Sequence, residues 1–463
     1  MCFIVFRRVF HVKQQLSYGR EARTLYTLTP HARMTSIGTP ATVRPTATAL
    51  DKEPKMERKS FDVNFKGMLD GVRVVDLSRV VAGNMLTLQL ADHGADVVKI
   101  EPLPQGDPLR AWRDGGHSTY WKVYCRNKRS LGLNFRADGA SDLIRKLAAQ
   151  ADVLVEGFRP GTLEKMGLAP EVLHADNPKL VIVRVSGFGQ TGPNSPRPGF
   201  GTLVEAMSGF AARNGFADRE PVLPPLAMAD MIAGLYGAFT TVTAVRACEQ
   251  GKAPGQVIDL SLLEPMISIL GPEAAGYTIT REVKERVGSG SNTVSPRNVY
   301  KSSDGKWIAL SGSVQAMAER VFRLVGREDM IDDPRYKDNA TRVKHRDEVD
   351  AIVGAWVGAQ TRDQALKAFT EAAVTAAPVY DISDLLEDEH AVGRGIFEEL
   401  PDDDLGWVQM HAPVPRLSAT PAGYRRPAPR LGEHTWAVLS EFAFDEASMA
   451  ALRDAGVVAG ETR

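Results

Sequence analysis

The feature that most constrains this chain is an abrupt change at Leu69, where apolar strand-like runs begin to alternate with amphipathic helix-like segments. Residues 71–78 (GVRVVDLS) predict a strand, 84–94 (NMLTLQLADHG) a short helix and 95–102 (ADVVKIEP) a second strand, together a βαβ unit. Further strands are expected at 130–135, 152–158 and 179–188, with helices over 138–151 and 161–167 between them. Such Val/Ile-rich runs suit strands buried on both faces, so the expected class is α/β, a mainly parallel sheet with helices on either side. Ligands of such sheets gather beyond the carboxyl ends of the strands, here the loops starting near Arg79, Pro102, Phe158 and Gly187.

A long helix is predicted over about 228–250, then a Gly/Pro turn and a strand at 257–263. The segment 288–298 breaks the pattern. After it, 298–312 reads as a hairpin around Asp304-Gly305, followed by helices near 314–326, 346–359 and 361–373. A chain of 463 residues exceeds what one core usually organises. We therefore expect a leader over 1–60, the first part of a large α/β domain over 61–285, a smaller α+β domain over 286–395, and a segment over 396–463 that returns to the large domain. The first fifty residues carry Arg7, Arg8, Lys13, Arg20, Arg23, Arg33 and Arg44 against one acid, Glu21. Two readings stand: a mitochondrial presequence, which places the protein in the matrix, or a leader ahead of a later start at Met34 or Met56, which leaves it cytoplasmic.

With 56 basic and 57 acidic side chains, no overall field draws the chain to nucleic acid, and no unbroken run of 18 apolar residues predicts a membrane span. Three scattered cysteines without a CxxC pair and nine histidines without ligand spacing predict no metal site. No GxSxG elbow is present. GFGQTG (187–192) matches GxGxxG, but Pro193, Pro196 and Pro198 follow where a dinucleotide site needs a helix.

Asp230 is the only charge in PPLAMADMIAGLYGAF (224–239), and an unpaired carboxylate in apolar surroundings costs several kcal/mol, roughly, unless it is capped or functional. The plain alternative is a helix N-cap. Gly234 and Gly237 bare one helix face to a ligand or to another helix. GSGSN (288–292) is either a loop that covers a site or an interdomain linker. Arg126, Lys128 and Arg129 in CRNKRS (125–130) suit phosphate groups, or else form a solvated surface.

Read in order, residues 69–84, 94–110, 127–135, 151–168, 181–193, 224–238, 251–264, 377–390 and 431–439 together resemble the CaiB/BaiF family, which includes the class III CoA transferases. The resemblance implies a Rossmann-like large domain with a parallel sheet, a smaller α+β domain, and an interlaced homodimer. It implies Asp230 as the nucleophile, with Gly288 and Gly290 in a loop that shields the intermediate. CoA contacts carry over onto Val80, Val81, Ala82, Asn127, Lys128, Phe158, Lys165 and Met166. Two departures, Pro102 where some members have a basic residue and Gly157 where some have Asn, leave Arg110, Arg126 and Arg159 as further candidates for phosphate. Coenzyme A and acyl-CoA enter as substrates, with a small carboxylic acid as acceptor and succinyl-CoA or another short dicarboxylate thioester as donor; no tightly bound cofactor is implied. Racemases of the family pair the aspartate with a histidine, where this chain has Phe200. A racemase or epimerase, and a CoA-binding protein without turnover, remain the alternatives.

Overall fold

The computed structural model describes residues 56–461. Its centre is a seven-stranded sheet. In chain order the strands are β1 (Arg73–Leu77), β2 (Asp96–Pro102), β3 (Arg129–Leu133), β4 (Val153–Glu156), β5 (Val181–Ser186), β6 (Val257–Ser261) and β7 (Val458–Ala459), arranged as β7-β3-β2-β1-β4-β5-β6. The first six pair in parallel, and β7 closes one edge antiparallel to β3. The order 3-2-1-4-5-6 is that of a doubly wound sheet, reversing direction between β1 and β4.

Period-two alternation splits the strand side chains between two cores. Val74, Val97, Val153 and Val183 face one side with helix α1 (Ala82–Asp92) and the long helix α3 (Met228–Glu249). Val75, Val98, Leu131 and Ile182 face the other, under helices Ala140–Ala148 and Thr435–Glu441. A short helix α2 (Gly201–Met207) lies between β5 and α3 in sequence and packs on α3. The glycines of α3 meet α1: a Cβ on Gly234 would lie 2.7 Å from Met85 Cβ, and one on Gly237 2.5 Å from Leu86 Cδ1. The bare face therefore serves close helix packing. By length and composition α3 also qualifies as a membrane span, although Asp230 interrupts its apolar run. One side of it is packed inside the protein, while Leu235, Tyr236, Phe239 and Val242 on it are exposed.

The predicted hairpin forms from strands Arg297–Lys301 and Trp307–Ser311, extended by Ala376–Pro378. Helices Gln315–Leu324, Arg346–Gly358 and Arg362–Glu371 cover it around Tyr300, Ile308, Val321, Val353 and Phe369. The Arg-rich leader lies outside the described residues. Within the range expected for the leader, Glu57–Arg58 pair in parallel with Glu398–Glu399.

Candidate active site

The turn after β1 carries the most constrained backbone near the reversal of strand order. Val80 has φ +66°, a left-handed conformation that a β-branched residue adopts only when its surroundings impose it. Here the Val80 N–H donates to Asp107 Oδ1 (3.0 Å) and Asn84 Nδ2 donates to both the Val80 carbonyl (2.7 Å) and Asp107 Oδ2 (2.9 Å). Below the turn, fully buried Lys99 lies between Asp76 (3.3 Å) and Asp107 (3.2 Å) and donates to the Ser78 carbonyl. Burial opposes the Lys99 charge, but the two carboxylates outweigh it and hold the ammonium above its ordinary range. Burial likewise opposes the Asp107 charge, and Lys99 with the N–H groups of Leu109 and Val80 outweighs it, keeping the carboxylate ionised.

Across the crevice, Phe158 follows β4. Its N–H donates to buried Glu156 (2.6 Å), which also accepts from Arg184 Nε (2.8 Å). The Phe158 ring stands edge-on to Phe135 at 6.2 Å, and the Arg79 guanidinium lies 5.8 Å from its centroid, so the loops after β1 and β4 meet. Lys165, exposed, and Met166, which packs against the same apolar core as Phe158, end the short helix Thr162–Lys165.

Asp230 approaches this turn from α3. Ala227 and Met231, three residues before it and one after, pack with Val80 against the apolar cluster that includes Val81. The helix begins at Met228 after Ala227, so Asp230 is in its first turn and the N-cap expectation is corrected. The cap comes from another helix: the Ala229 N–H donates to Oε1 of Glu205 on α2 (3.0 Å). Beside them Gly201 supplies room, since a Cβ there would fall 2.2 Å from Asp230 Oδ2 and 3.7 Å from Glu205 Oε1. Among the described residues no side chain hydrogen-bonds to Asp230. Burial, with the Glu205 charge adding, pushes the Asp230 carboxyl up to about 6. Such a group is largely ionised at neutral pH yet more basic than an ordinary aspartate, the combination a carboxylate nucleophile needs.

The basic run at 125–130 is not a solvated surface. Arg126, fully buried, donates through Nη2 and Nε to Asp92 (2.6 and 3.1 Å) and through Nη1 to the His411 carbonyl (3.1 Å). Asn127, at φ +65°, donates to Asp92 and the Gly423 carbonyl and accepts from the Arg425 N–H. Buried Lys128 donates to the carbonyl and side-chain oxygens of Asn84 (2.9 and 3.0 Å). Lys128 thus braces the Asn84 end of α1 and the turn it holds, while Arg126 and Asn127 hold Asp92 at the other end of the same helix. Arg110 is paired with Glu101 (2.7 Å) and stacked over Trp121 at 3.7 Å, which leaves Arg159 exposed and without an ion pair among the described residues. Gly288 takes φ +58° and donates to the Gly215 carbonyl; a Cβ on it would meet the Phe216 ring at 2.4 Å. Gly290 N–H donates to the Val287 carbonyl, and among the described residues no hydrogen bond links either glycine to Asp230.

Sequence reasoning did not single out Glu205, Gly201, Lys99 or Asp107. Glu205 did leave a signal, as the one acid in the otherwise apolar helix GTLVEAM.

Comparison with known proteins agrees with this architecture. The sequence profile of CoA-transferase family III matches residues 69–435. The succinyl-CoA–D-citramalate CoA-transferase of Chloroflexus aurantiacus is 36% identical over 376 residues, covering 81% of this chain and 93% of that protein. The human succinyl-CoA:glutarate CoA-transferase is 32% identical over 405 residues, covering 87% and 92%. The crystal structure of a CaiB/BaiF family protein from Brucella suis superimposes with a TM-score of 0.71 at 30% identity, covering 82% of this chain and all of that one.

Proposed function

This chain belongs to CoA-transferase family III, and from that premise we propose that it moves CoA from an acyl-CoA donor, succinyl-CoA above all, to a small carboxylic acid through covalent intermediates on Asp230. The observation that carries this reading is the Asp230 carboxylate itself, half-buried over Gly201, without a side-chain hydrogen-bond donor among the described residues, and raised to about 6.

The carboxylate attacks the thioester carbonyl, the C–S bond breaks, and CoA leaves as thiolate with the bonding pair. A mixed anhydride remains on Asp230. The thiolate then attacks the aspartyl carbonyl, the donor acid departs as carboxylate, and an aspartyl-CoA thioester is left. The acceptor carboxylate repeats the sequence in reverse, so no ATP is needed provided water is excluded. Gly288 and Gly290 supply the covering loop. CoA lies along the backbone of Val80, Val81 and Ala82, with Phe158, Lys165 and Met166 toward the nucleotide end, and Arg159, exposed and without an ion pair among the described residues, offers a cation to its phosphates. Asn127 and Lys128 act at one remove by bracing α1.

The racemase alternative needs a second proton carrier. Phe200, exposed at the N-cap of α2 next to Gly201, offers none. The exposed apolar face of α3 with Ile267 and Tyr277 is an area that a second copy of the chain would cover, as in the proposed homodimer.

The deciding experiment incubates the protein with succinyl-CoA and hydroxylamine and maps peptides by mass spectrometry. A hydroxamate on Asp230, absent in Asp230→Ala, is expected. An intact protein that binds acyl-CoA and forms no adduct would refute the covalent route.

A further inference from the structure

Glu205 is almost completely buried at 2% exposure, and nothing in the transfer chemistry above uses it. It follows Gly201 by four residues on α2, so both positions occupy the helix face turned to Asp230. Its Oε1 takes the Ala229 N–H, one of the donors that a helix N-terminus leaves unpaired. In an ordinary helix start the first-turn aspartate would be stabilised by these donors and by the helix dipole, and would lose basicity. Here the Ala229 donor is already occupied by another carboxylate, and Asp230 is left with its own N–H.

Resting on the reading of Asp230 as nucleophile, we infer that Glu205 is a positioning residue that keeps Asp230 reactive, by capping α3 in its place and by setting a second negative charge beside it. Acylation of Asp230 removes one of two adjacent charges, so their repulsion is relieved as the anhydride forms. The other charged groups on elements packed against α3 are engaged elsewhere. Asp92 on α1 holds Arg126, Arg184 on β5 holds Glu156 and Glu164, Asp259 on β6 accepts the Gln190 N–H, and Glu264 beyond β6 accepts from Ser261. On α3 itself Arg246 and Glu249 lie in the last turn. Glu205 is the charged neighbour that acts on Asp230.

The test follows the pH dependence of hydroxamate formation on Asp230 in wild type, Glu205→Gln and Glu205→Asp. Glutamine keeps an acceptor for Ala229 and loses the charge. Its acid limb should move to lower pH, and if the Asp230 pKa falls by about one unit a Brønsted coefficient near 0.5 lowers the plateau rate about threefold. Aspartate keeps the charge and should hold the acid limb within a few tenths of a unit of wild type, roughly. An unmoved limb in Glu205→Gln, or a limb in Glu205→Asp displaced as far as glutamine's is expected to be, would overturn the inference; the aspartate variant decides alone if glutamine prevents folding. Absence of hydroxamate from wild type at every pH would instead remove the reading of Asp230 on which the inference rests.

Discussion

Replacing Asp230 with asparagine should abolish transfer and, at neutral pH, make the protein more stable. Asp230 is carried from an ordinary value of 3.8 to about 6 on folding, chiefly by burial. A shift of about two units corresponds to about 3 kcal/mol of strain in keeping the charge. Because the side chain keeps some contact with solvent, we take about 1–3 kcal/mol as the range for the asparagine variant. The sign follows from proton linkage. A carboxyl whose folded pKa lies above its unfolded one binds more protons in the folded state, so its cost is complete above pH 6, shrinks between 6 and 3.8, and vanishes below. Urea unfolding of both proteins at equal concentration, with equal slopes, should place the asparagine midpoint higher at pH 7.5 and bring the two together as pH falls toward 4. An asparagine variant less stable than wild type at pH 7.5, or an advantage that does not shrink in acid, would refute the argument that this carboxylate is held at a cost.

Three further outcomes follow from the geometry. Gly201→Ala places a Cβ against Asp230 Oδ2 and should lower kcat by about a hundredfold, the size expected when a reacting group is displaced by an ångström, with folding intact by circular dichroism. Asp107→Asn leaves buried Lys99 with Asp76 alone and loosens the Val80 turn. It should cost about 3 kcal/mol in urea unfolding and raise the KM for acyl-CoA more than it lowers kcat, in steady-state assays. Gly288→Ala should slow transfer because the new Cβ meets Phe216, and Phe216→Ala in the same chain should restore part of the rate if the clash, rather than the backbone angle, is responsible.

The alternation of apolar runs from Leu69 onward was enough for the α/β class and for most strands and helices, because burial on both faces of a parallel sheet leaves continuous Val and Ile runs such as 181–183. Asp230 was legible for a related reason: one carboxylate in an apolar segment demands an explanation. What that explanation is depended on the fold. Whether Asp230 caps α3 is decided by Glu205, which is distant along the chain and reaches Ala229 only because α2 packs on α3. The basic run at 125–130 could be read as surface or as phosphate site, and only tertiary structure showed that it is not solvated surface, by bringing Asp92 and Asn84 to its side chains. Gly234 and Gly237 announced a close approach, but only packing showed that α1 makes it. Sequence alone thus determined which segments are buried and where a costly charge lies, since these depend on local composition and period. Which groups meet that charge was settled by contacts between segments far apart in the chain, and charge partners at such separations leave no periodic trace in sequence.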